Sequence, residues 1–201
     1  MKKSVLMVLI GIFLAVSTVV ALPGFKTFRS KKMGIEFSYP QRYGLKVREK
    51  DGRITIEHSV KFKHPVPCDG GDDGQYLKKI YDFYATISIL NKTATEIFRQ
   101  EVMEVNEAGL VVGVKNSVRV TYGERDGFEI YNGNHGCGAF SSFFELSPEK
   151  FLQVDLYPAP EFREVPEEEK QIYYRLREII SPENEEHIFK EILNSLKWDI
   201  K

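Results

Sequence analysis

Two stretches of the sequence combine cysteine with histidine and could carry chemistry. HPVPCDGGDDG surrounds Cys68, and NGNHGCGAF surrounds Cys137. These are the only two cysteines among the 201 residues, and each has a histidine close by, His64 or His135. Four kinds of site use such residues: a disulfide, a zinc site, a thiol nucleophile and, because of the aspartates, a calcium loop.

The zinc hypothesis rests on the donor set. His64, Cys68, His135 and Cys137 supply two imidazoles and two thiols, which is a complete tetrahedral set for zinc. Their spacing differs from the paired C-x2-C frameworks of structural zinc sites. The sequence therefore keeps zinc only as an alternative.

The thiol hypothesis rests on the tripeptide HGC at 135–137. It is similar to the core of the L,D-transpeptidase motif, in which a histidine activates a nucleophilic cysteine. Here Gly138 and Ala139 stand where that motif carries an aliphatic residue and then an arginine. Catalysis by Cys137 with His135 is accordingly an alternative, and no catalytic residue is predicted.

The calcium hypothesis rests on three carboxylates, those of Asp69, Asp72 and Asp73. An EF-hand loop starting at Asp69 would place Gly71 at its third position and Ile80 at its twelfth, where a bidentate glutamate is needed. A turn rich in glycine and aspartate is the simpler interpretation. No metal is predicted, and a different kind of metal site on these aspartates, with or without the two loop histidines, remains an alternative.

The N-terminus predicts export. Lys2 and Lys3 precede a run without charge from Ser4 to Ala21, so residues 1–21 are predicted to be a signal peptide. The uncharged run continues to about residue 25, and an uncleaved membrane anchor is the alternative. The protein is thus expected in the periplasm, at the cell surface or secreted. If the N-terminal segment is not cleaved, it would anchor the protein in the membrane.

Export decides between the cysteine hypotheses. Two cysteines in an exported chain are most simply joined, so we predict a disulfide between Cys68 and Cys137. Closing a loop of that length would stabilise the fold by about 4 kcal/mol in the chain-entropy model. A bonded Cys137 could be neither a resting nucleophile nor a zinc ligand.

Composition limits the class of protein. With 42% hydrophobic and 12% aromatic residues, residues 27–201 can form one domain with a substantial core. A net charge of −1 gives no reason to expect a nucleic-acid partner, because phosphate binding needs concentrated lysine and arginine.

Alternating apolar residues predict mostly strands. The hairpin signal Asp51-Gly52 lies between two of them. The predicted strands lie at 33–40, 43–60 (two strands), 83–90, 117–133 with a turn at 125–127, and 139–158 with a turn at 147–150; helices are predicted at 93–105, 166–180 and 182–197, the last with Ser181 as its N-cap. His58 and His187 are interpreted as structural residues. The aromatic residues of the last hairpin are predicted to be mostly core, with part of them available as a binding surface: Phe140, Phe143, Phe144, Phe151 and Tyr157.

The segments GIEFSYPQRYGLKV and IFKEILNSLKW resemble the two ends of PsbP-like domains. This family is named for a photosystem II subunit and includes many exported bacterial proteins. The resemblance spans residues 27–198 and implies an α+β fold, in which helices flank an antiparallel sheet in an α/β/α sandwich, here after an N-terminal signal or anchor helix. Tyr43 stands where the pattern carries a tryptophan, and the insertion at 60–76 has no counterpart. No ligand residue is carried over.

The predicted function follows from export and from the resemblance. We expect a non-enzymatic binding or accessory domain of the cell envelope or extracellular space, without a cofactor. Its partner would be an unknown protein or envelope component. The alternatives are an envelope enzyme that uses Cys137 and a metal-binding protein.

Overall fold

The computed structural model describes residues 24–65, 76–99, 103–105, 107, 111–134, 137–159, 171–172, 174–175 and 178–198. The strands are β1 (Phe25–Ser30), β2 (Ile35–Pro40), β3 (Lys46–Lys50), β4 (Arg53–Pro65), β5 (Tyr76–Leu90), β6 (Met103–Val105), β7 (Val111–Val114), β8 (Val118–Tyr122), β9 (Arg125–Asn134), β10 (Cys137–Ser147), β11 (Lys150–Leu156) and β12 (Lys197–Trp198). The α-helices are α1 (Ala94–Ile97) and α2 (Pro182–Ser195), and a 3-10 turn spans Gln41–Tyr43.

Seven strands form a central antiparallel sheet in the order β3-β4-β5-β11-β10-β9-β8. The β3–β4 hairpin confirms the predicted turn, because Asp51 and Gly52 both have positive φ angles, 51° and 73°. A two-residue turn with two positive φ angles matches the twist of the flanking strands. The β10–β11 hairpin also turns where predicted, with Ser147 paired to Lys150.

One face of the central sheet, called the α2 face, packs against α2 and a second sheet of order β1-β2-β12. Leu193 and Ile188 of α2 are buried there against strand residues such as Val154. Ser195 Oγ fastens the end of α2 to β2, since it accepts from Ser38 N (2.9 Å) and donates to Ser38 O (3.1 Å). The main core therefore lies between two antiparallel sheets and one helix.

Part of the opposite face packs against α1 and the two-stranded β6–β7 sheet. Its centre is a phenylalanine cluster in which Phe98 contacts Phe143 and Phe151 edge to face, at ring-centroid distances of 5.4 and 6.2 Å. Phe144 is buried on the α2 face. The aromatic hairpin is therefore largely core, as predicted.

The predicted α/β/α sandwich is wrong. The described residues form three antiparallel sheets, and α2 is the only helix longer than one turn that they contain in full. One layer beside the central sheet is itself partly a sheet, and the other is a single helical turn with two short strands.

The error has a specific cause at residues 93–105. Thr93 caps α1, since its Oγ1 accepts from Glu96 N, and Glu96 Oε2 accepts from Thr93 N at 2.7 Å. The helix nevertheless ends after one turn, because Phe98 enters the phenylalanine cluster and Met103–Val105 pairs with β7. Tertiary packing thus overrides the local helical pattern.

Two further boundaries differ from the sequence predictions, and one agrees. The β8–β9 turn lies at Gly123-Glu124 rather than at 125–127, since Tyr122 pairs with Arg125. β5 begins well before residue 83. Helix α2 agrees with its prediction, including Ser181 as the N-cap that accepts from Asn184 N and proline at the first helical position.

The N-terminal prediction falls largely outside the described residues. Residues 1–23, with the predicted signal peptide or anchor helix, belong to the part of the chain that the structure does not describe. Most of the helix predicted at 166–180 does as well. The single domain at 27–201 also stays a prediction.

Candidate functional site

A histidine and a buried aspartate form a close pair on neighbouring strands. His58 Nδ1 of β4 lies 2.7 Å from Asp82 Oδ1 of β5. The Asp82 side chain is fully buried, and that of His58 is 13% exposed. A buried carboxylate needs hydrogen-bond donors to offset its loss of hydration, so the pair has to be satisfied by its surroundings.

A β-bulge directs Asp82 toward these donors. His58 pairs with Phe83 and Val60 pairs with Ile80, so two residues of β5 oppose the single Ser59 of β4. The extra residue breaks the regular alternation of side chains, and such bulges can redirect a side chain. Asp82 is one of the two residues in the bulge.

The second donor to Asp82 comes from the chain just before α2. Ile180 N–H donates to Asp82 Oδ2 at 2.7 Å, and Ile180 is itself buried. An ionised carboxylate only accepts hydrogen bonds, so the His58 proton must be on Nδ1. In the neutral ring, Nε2 is then unprotonated and can accept a hydrogen bond from a ligand.

His58 lines a cleft of about 540 Å³ between the β3–β4 hairpin and the segment that leads into α2. Its lining residues are Arg42, Tyr43, Gly44, Lys46, Glu57, His58, Ser59, Glu178 and Ile179. The lining contains two carboxylates, those of Glu57 and Glu178. Arg48 Nη1 lies 3.2 Å from Glu57 Oε1, so the charge of Glu57 is balanced by an ion pair. Tyr43 O–H donates to Asn184 Oδ1 (2.8 Å) and so ties one wall to α2.

Asp155 of β11 is a second buried carboxylate, on the face opposite α2. Its Oδ1 accepts from Ser141 Oγ (2.7 Å) and Gln153 Nε2 (2.8 Å), and its Oδ2 accepts from Thr86 Oγ1 (3.3 Å). Burial raises the pKa of the neighbouring Tyr157, and the charge of Asp155 raises it further. This network consists of neutral donors around one carboxylate.

The two cysteine-containing loops that the sequence singles out lie largely outside the described residues. Cys68, His135 and the aspartates at 69, 72 and 73 lie outside the described residues. The backbone of Cys137 begins β10 opposite Asn134, and the backbone of His64 pairs with Leu77 in β4. The disulfide, the zinc set, the thiol nucleophile and the calcium loop all stay predictions.

Sequence reasoning missed the role of His58 and did not consider Asp82. The available signal was a charged residue inside the otherwise apolar and aromatic run IYDFYATISIL, where Asp82 interrupts a strand that reads as buried. A buried aspartate implies a partner. The partner itself, 24 residues earlier on another strand, follows only from the register.

Comparison with known proteins gives a resemblance of fold. No protein-family model matches the chain, and no curated protein matches it. The chain is similar to a crystal structure from Bacteroides thetaiotaomicron VPI-5482, with 12% identity and a TM-score of 0.41 over 87% of this chain and 48% of that one. It is also similar to the solution structure of cyanobacterial PsbP (CyanoP) from Synechocystis sp. PCC 6803, with 13% identity and a TM-score of 0.36 over 92% and 99% of the two chains.

These values confirm the predicted PsbP-like resemblance as a weak resemblance of fold. The chain spans about half the length of the Bacteroides protein. Among the described residues, no helix is long and apolar enough to cross a membrane.

Proposed function

We propose that this chain is a non-enzymatic binding domain that works outside the cytoplasm, and that the cleft beside His58 is its binding site. The observation that carries the proposal is the His58–Asp82 pair, in which a buried carboxylate fixes one imidazole at the wall of a cleft. Pockets that combine concave shape with a few fixed polar groups are typical of ligand sites.

The cleft favours a particular kind of ligand. Nε2 of His58 accepts a hydrogen bond, while Arg42 and Lys46 offer positive charge on the same lining. We therefore expect a group that donates to the imidazole beside a carboxylate or another anion. Fragments of envelope peptides and N-acetylated sugar acids carry both groups.

Binding is favoured over catalysis by the surroundings of His58. Among the described residues, the only hydrogen-bond partner of its side chain is Asp82. A histidine that activates a nucleophile needs a hydroxyl or thiol within hydrogen-bond reach of its other ring nitrogen. The cleft thus holds a positioned acceptor without a positioned nucleophile in the described part of the chain.

The test is a ligand titration followed at the histidine side chains by NMR. Short peptides with free carboxylates and N-acetylated sugar acids are added to the ¹⁵N-labelled chain. We expect at least one compound to shift the ring signals of His58, to leave those of the exposed His187 on α2 unchanged, and to lose affinity for His58→Gln. Chemical turnover of a bound compound, or affinity unchanged in His58→Gln, would contradict the proposal.

Export is tested separately, because the proposal places the domain outside the cytoplasm on the basis of the uncharged run from Ser4 to Ala21. Residues 1–30 are fused to a reporter that is active only after export. Reporter activity is expected outside the cytoplasm. Activity confined to the cytoplasm would remove this half of the proposal and leave the cleft to be tested independently.

A further inference from the structure

The β1–β2–β12 sheet carries a groove of about 350 Å³ at the end where β1 turns into β2. It lies on a different sheet from the strands that hold His58 and Asp82. The residues that line it are Arg29, Ser30, Lys31, Gly34, Ile35, Glu36, Lys197 and Trp198.

The rim of this groove is strongly basic. Arg29 and Lys197 both pair with Glu36 in the register of the sheet, one from each side. Arg29 Nε donates to Glu36 Oε2 at 2.6 Å, and Lys197 Nζ lies 4.0 Å from Glu36 Oε1. One carboxylate thus lies beside two cations at the groove. The exposed Lys31 also lines the groove, its neighbour Lys32 is exposed in the same turn, and the described lining contains no acid besides Glu36.

The wall of the groove is apolar and aromatic. Ile35 is buried, and Trp198 is partly buried against Phe144 at a ring-centroid distance of 5.8 Å. The guanidinium of Arg125 lies 4.7 Å from the centre of the Trp198 ring. Tryptophan beside basic residues is typical of surfaces that meet lipid headgroups, because its ring is apolar and its N–H is polar.

The chain enters the fold on this same sheet. The run without charge from Ser4 to Phe25 leads directly into β1. Gly24 is fixed at the entry, since its carbonyl accepts a hydrogen bond from Gln41 N at 2.8 Å. In the anchored form, which the sequence keeps as the alternative to a cleaved signal peptide, only a few residues separate the apolar segment from the basic sheet.

We propose that the β1–β2–β12 sheet is the surface with which the domain lies on an anionic lipid bilayer. The phosphate of a headgroup would be bound between Arg29, Lys31 and Lys197, with Trp198 at the level of the headgroups. Charge complementarity and the direct connection to the apolar segment both favour a lipid surface over a soluble partner. The proposal is independent of the cleft beside His58.

The chain contains a single tryptophan, so Trp198 reports directly on this surface. The full chain is mixed with phosphatidylcholine vesicles that contain or lack phosphatidylglycerol, and Trp198 emission is recorded. The readout is the ratio of the two affinities, because the apolar segment adds equally to both. We expect a blue shift and a clear preference for the anionic vesicles that declines with added salt.

The triple variant Arg29→Gln/Lys31→Gln/Lys197→Gln should reduce this preference about a hundredfold, because each basic residue near an anionic surface contributes about fivefold to the affinity. Its matched control is Lys50→Gln/Lys61→Gln/Lys150→Gln, which removes the same charge from exposed positions on the central sheet. The control should retain the preference. Where the triple variant fails to fold, Lys31→Gln in the exposed turn should still reduce the preference about fivefold.

Two results would overturn the proposal. Equal losses in the two triple variants would mean that net charge alone, rather than this groove, attracts the vesicles. The second result is that soluble glycerol phosphate shifts Trp198 emission as far as anionic vesicles would, while the protein shows no preference for anionic vesicles. The ligand of the groove would then be a free phosphate ester.

Discussion

Two buried aspartates on neighbouring strands of the central sheet are held in different ways. Asp82 on β5 is bound by a histidine and by a main-chain N–H from the segment before α2. Among the described residues, Asp155 on β11 is bound only by neutral side chains, those of Ser141, Thr86 and Gln153. The first carboxylate fixes a group that faces a cleft, and the second joins strands of one sheet.

The difference shows how the same residue type can serve binding or structure. Hydroxyl groups rotate, so the donors around Asp155 can adapt to a changed acceptor. Around Asp82 the backbone amide of Ile180 cannot turn away, and the imidazole of His58 can adapt only by moving its proton to the other ring nitrogen. Asp82 should therefore be the less tolerant of the two positions.

The largest expected effect concerns the helix that brings Ile180 to Asp82. Leu193 of α2 is 2% exposed, so Leu193→Ala should cost about 2 to 5 kcal/mol in the free energy of unfolding. The Ile180 amide should exchange faster with solvent, while the Asp155 network keeps its protection. Denaturant unfolding and hydrogen exchange measure both. A loss below about half a kilocalorie, the level of a surface change, would show that α2 does not stabilise the fold.

Removing the first carboxylate should cost somewhat less. Asp82→Ala leaves the Ile180 N–H and the His58 Nδ1–H without acceptors, which should cost about 3 kcal/mol in the free energy of unfolding, at about 1.5 kcal/mol for each of the two donors. Asp155→Ala is the matched control at the second aspartate and should cost less. Denaturant midpoints of the two variants compare them, and equal losses would break the distinction between the sites.

A conservative exchange separates the sites further. Asp155→Asn should cost less than about 1 kcal/mol, because the amide oxygen still accepts from Ser141 and Thr86 can turn to accept from the amide N–H. Asp82→Asn can serve both of its partners only when His58 moves its proton to Nε2. The histidine ring of the Asp82→Asn variant should therefore change tautomer in ¹⁵N spectra. An unchanged tautomer there would contradict the proposed orientation.

The smallest effect is a pH dependence near Asp155. Burial, and then the charge of Asp155, raise the pKa of Tyr157 above the value of about 10 in an unfolded chain. The unfolded chain then releases this proton first, so the contribution of Tyr157 to stability is complete below pH of about 10 and is lost as pH rises through the raised pKa. Asp155→Asn should lower that pKa in a ¹³C NMR titration of the tyrosines, and Asp82→Asn should leave it unchanged.

The sequence predicts those parts of the fold that depend on neighbouring residues, and fails where contacts between residues distant in sequence decide the outcome. The turn at Asp51-Gly52, the turn at 147–150 and the N-cap at Ser181 depend on neighbouring residues and were predicted correctly. The helix over 93–105 was wrong because its outcome depends on Phe143 and Phe151, which are distant in sequence. Local pattern carries no information about such contacts.

The candidate site was hidden for the same reason. The bulge that directs Asp82 toward His58 depends on the register between β4 and β5, and the donor at Ile180 comes from 98 residues further along. The sequence instead drew attention to Cys68 and Cys137, which have the residue types of a site, and their pairing stays a prediction.

We infer that Asp82 fixes His58 with its proton on Nδ1 and that Nε2 of the ring is presented to the cleft. Long-range ¹H–¹⁵N NMR of the His58 ring in the full chain measures this directly, because it distinguishes protonated from unprotonated ring nitrogens. At a pH where the ring is neutral, we expect a single tautomer with the proton on Nδ1, which is lost in Asp82→Asn and kept in Asp155→Asn. A proton on Nε2, or rapid averaging of the two tautomers, would contradict it.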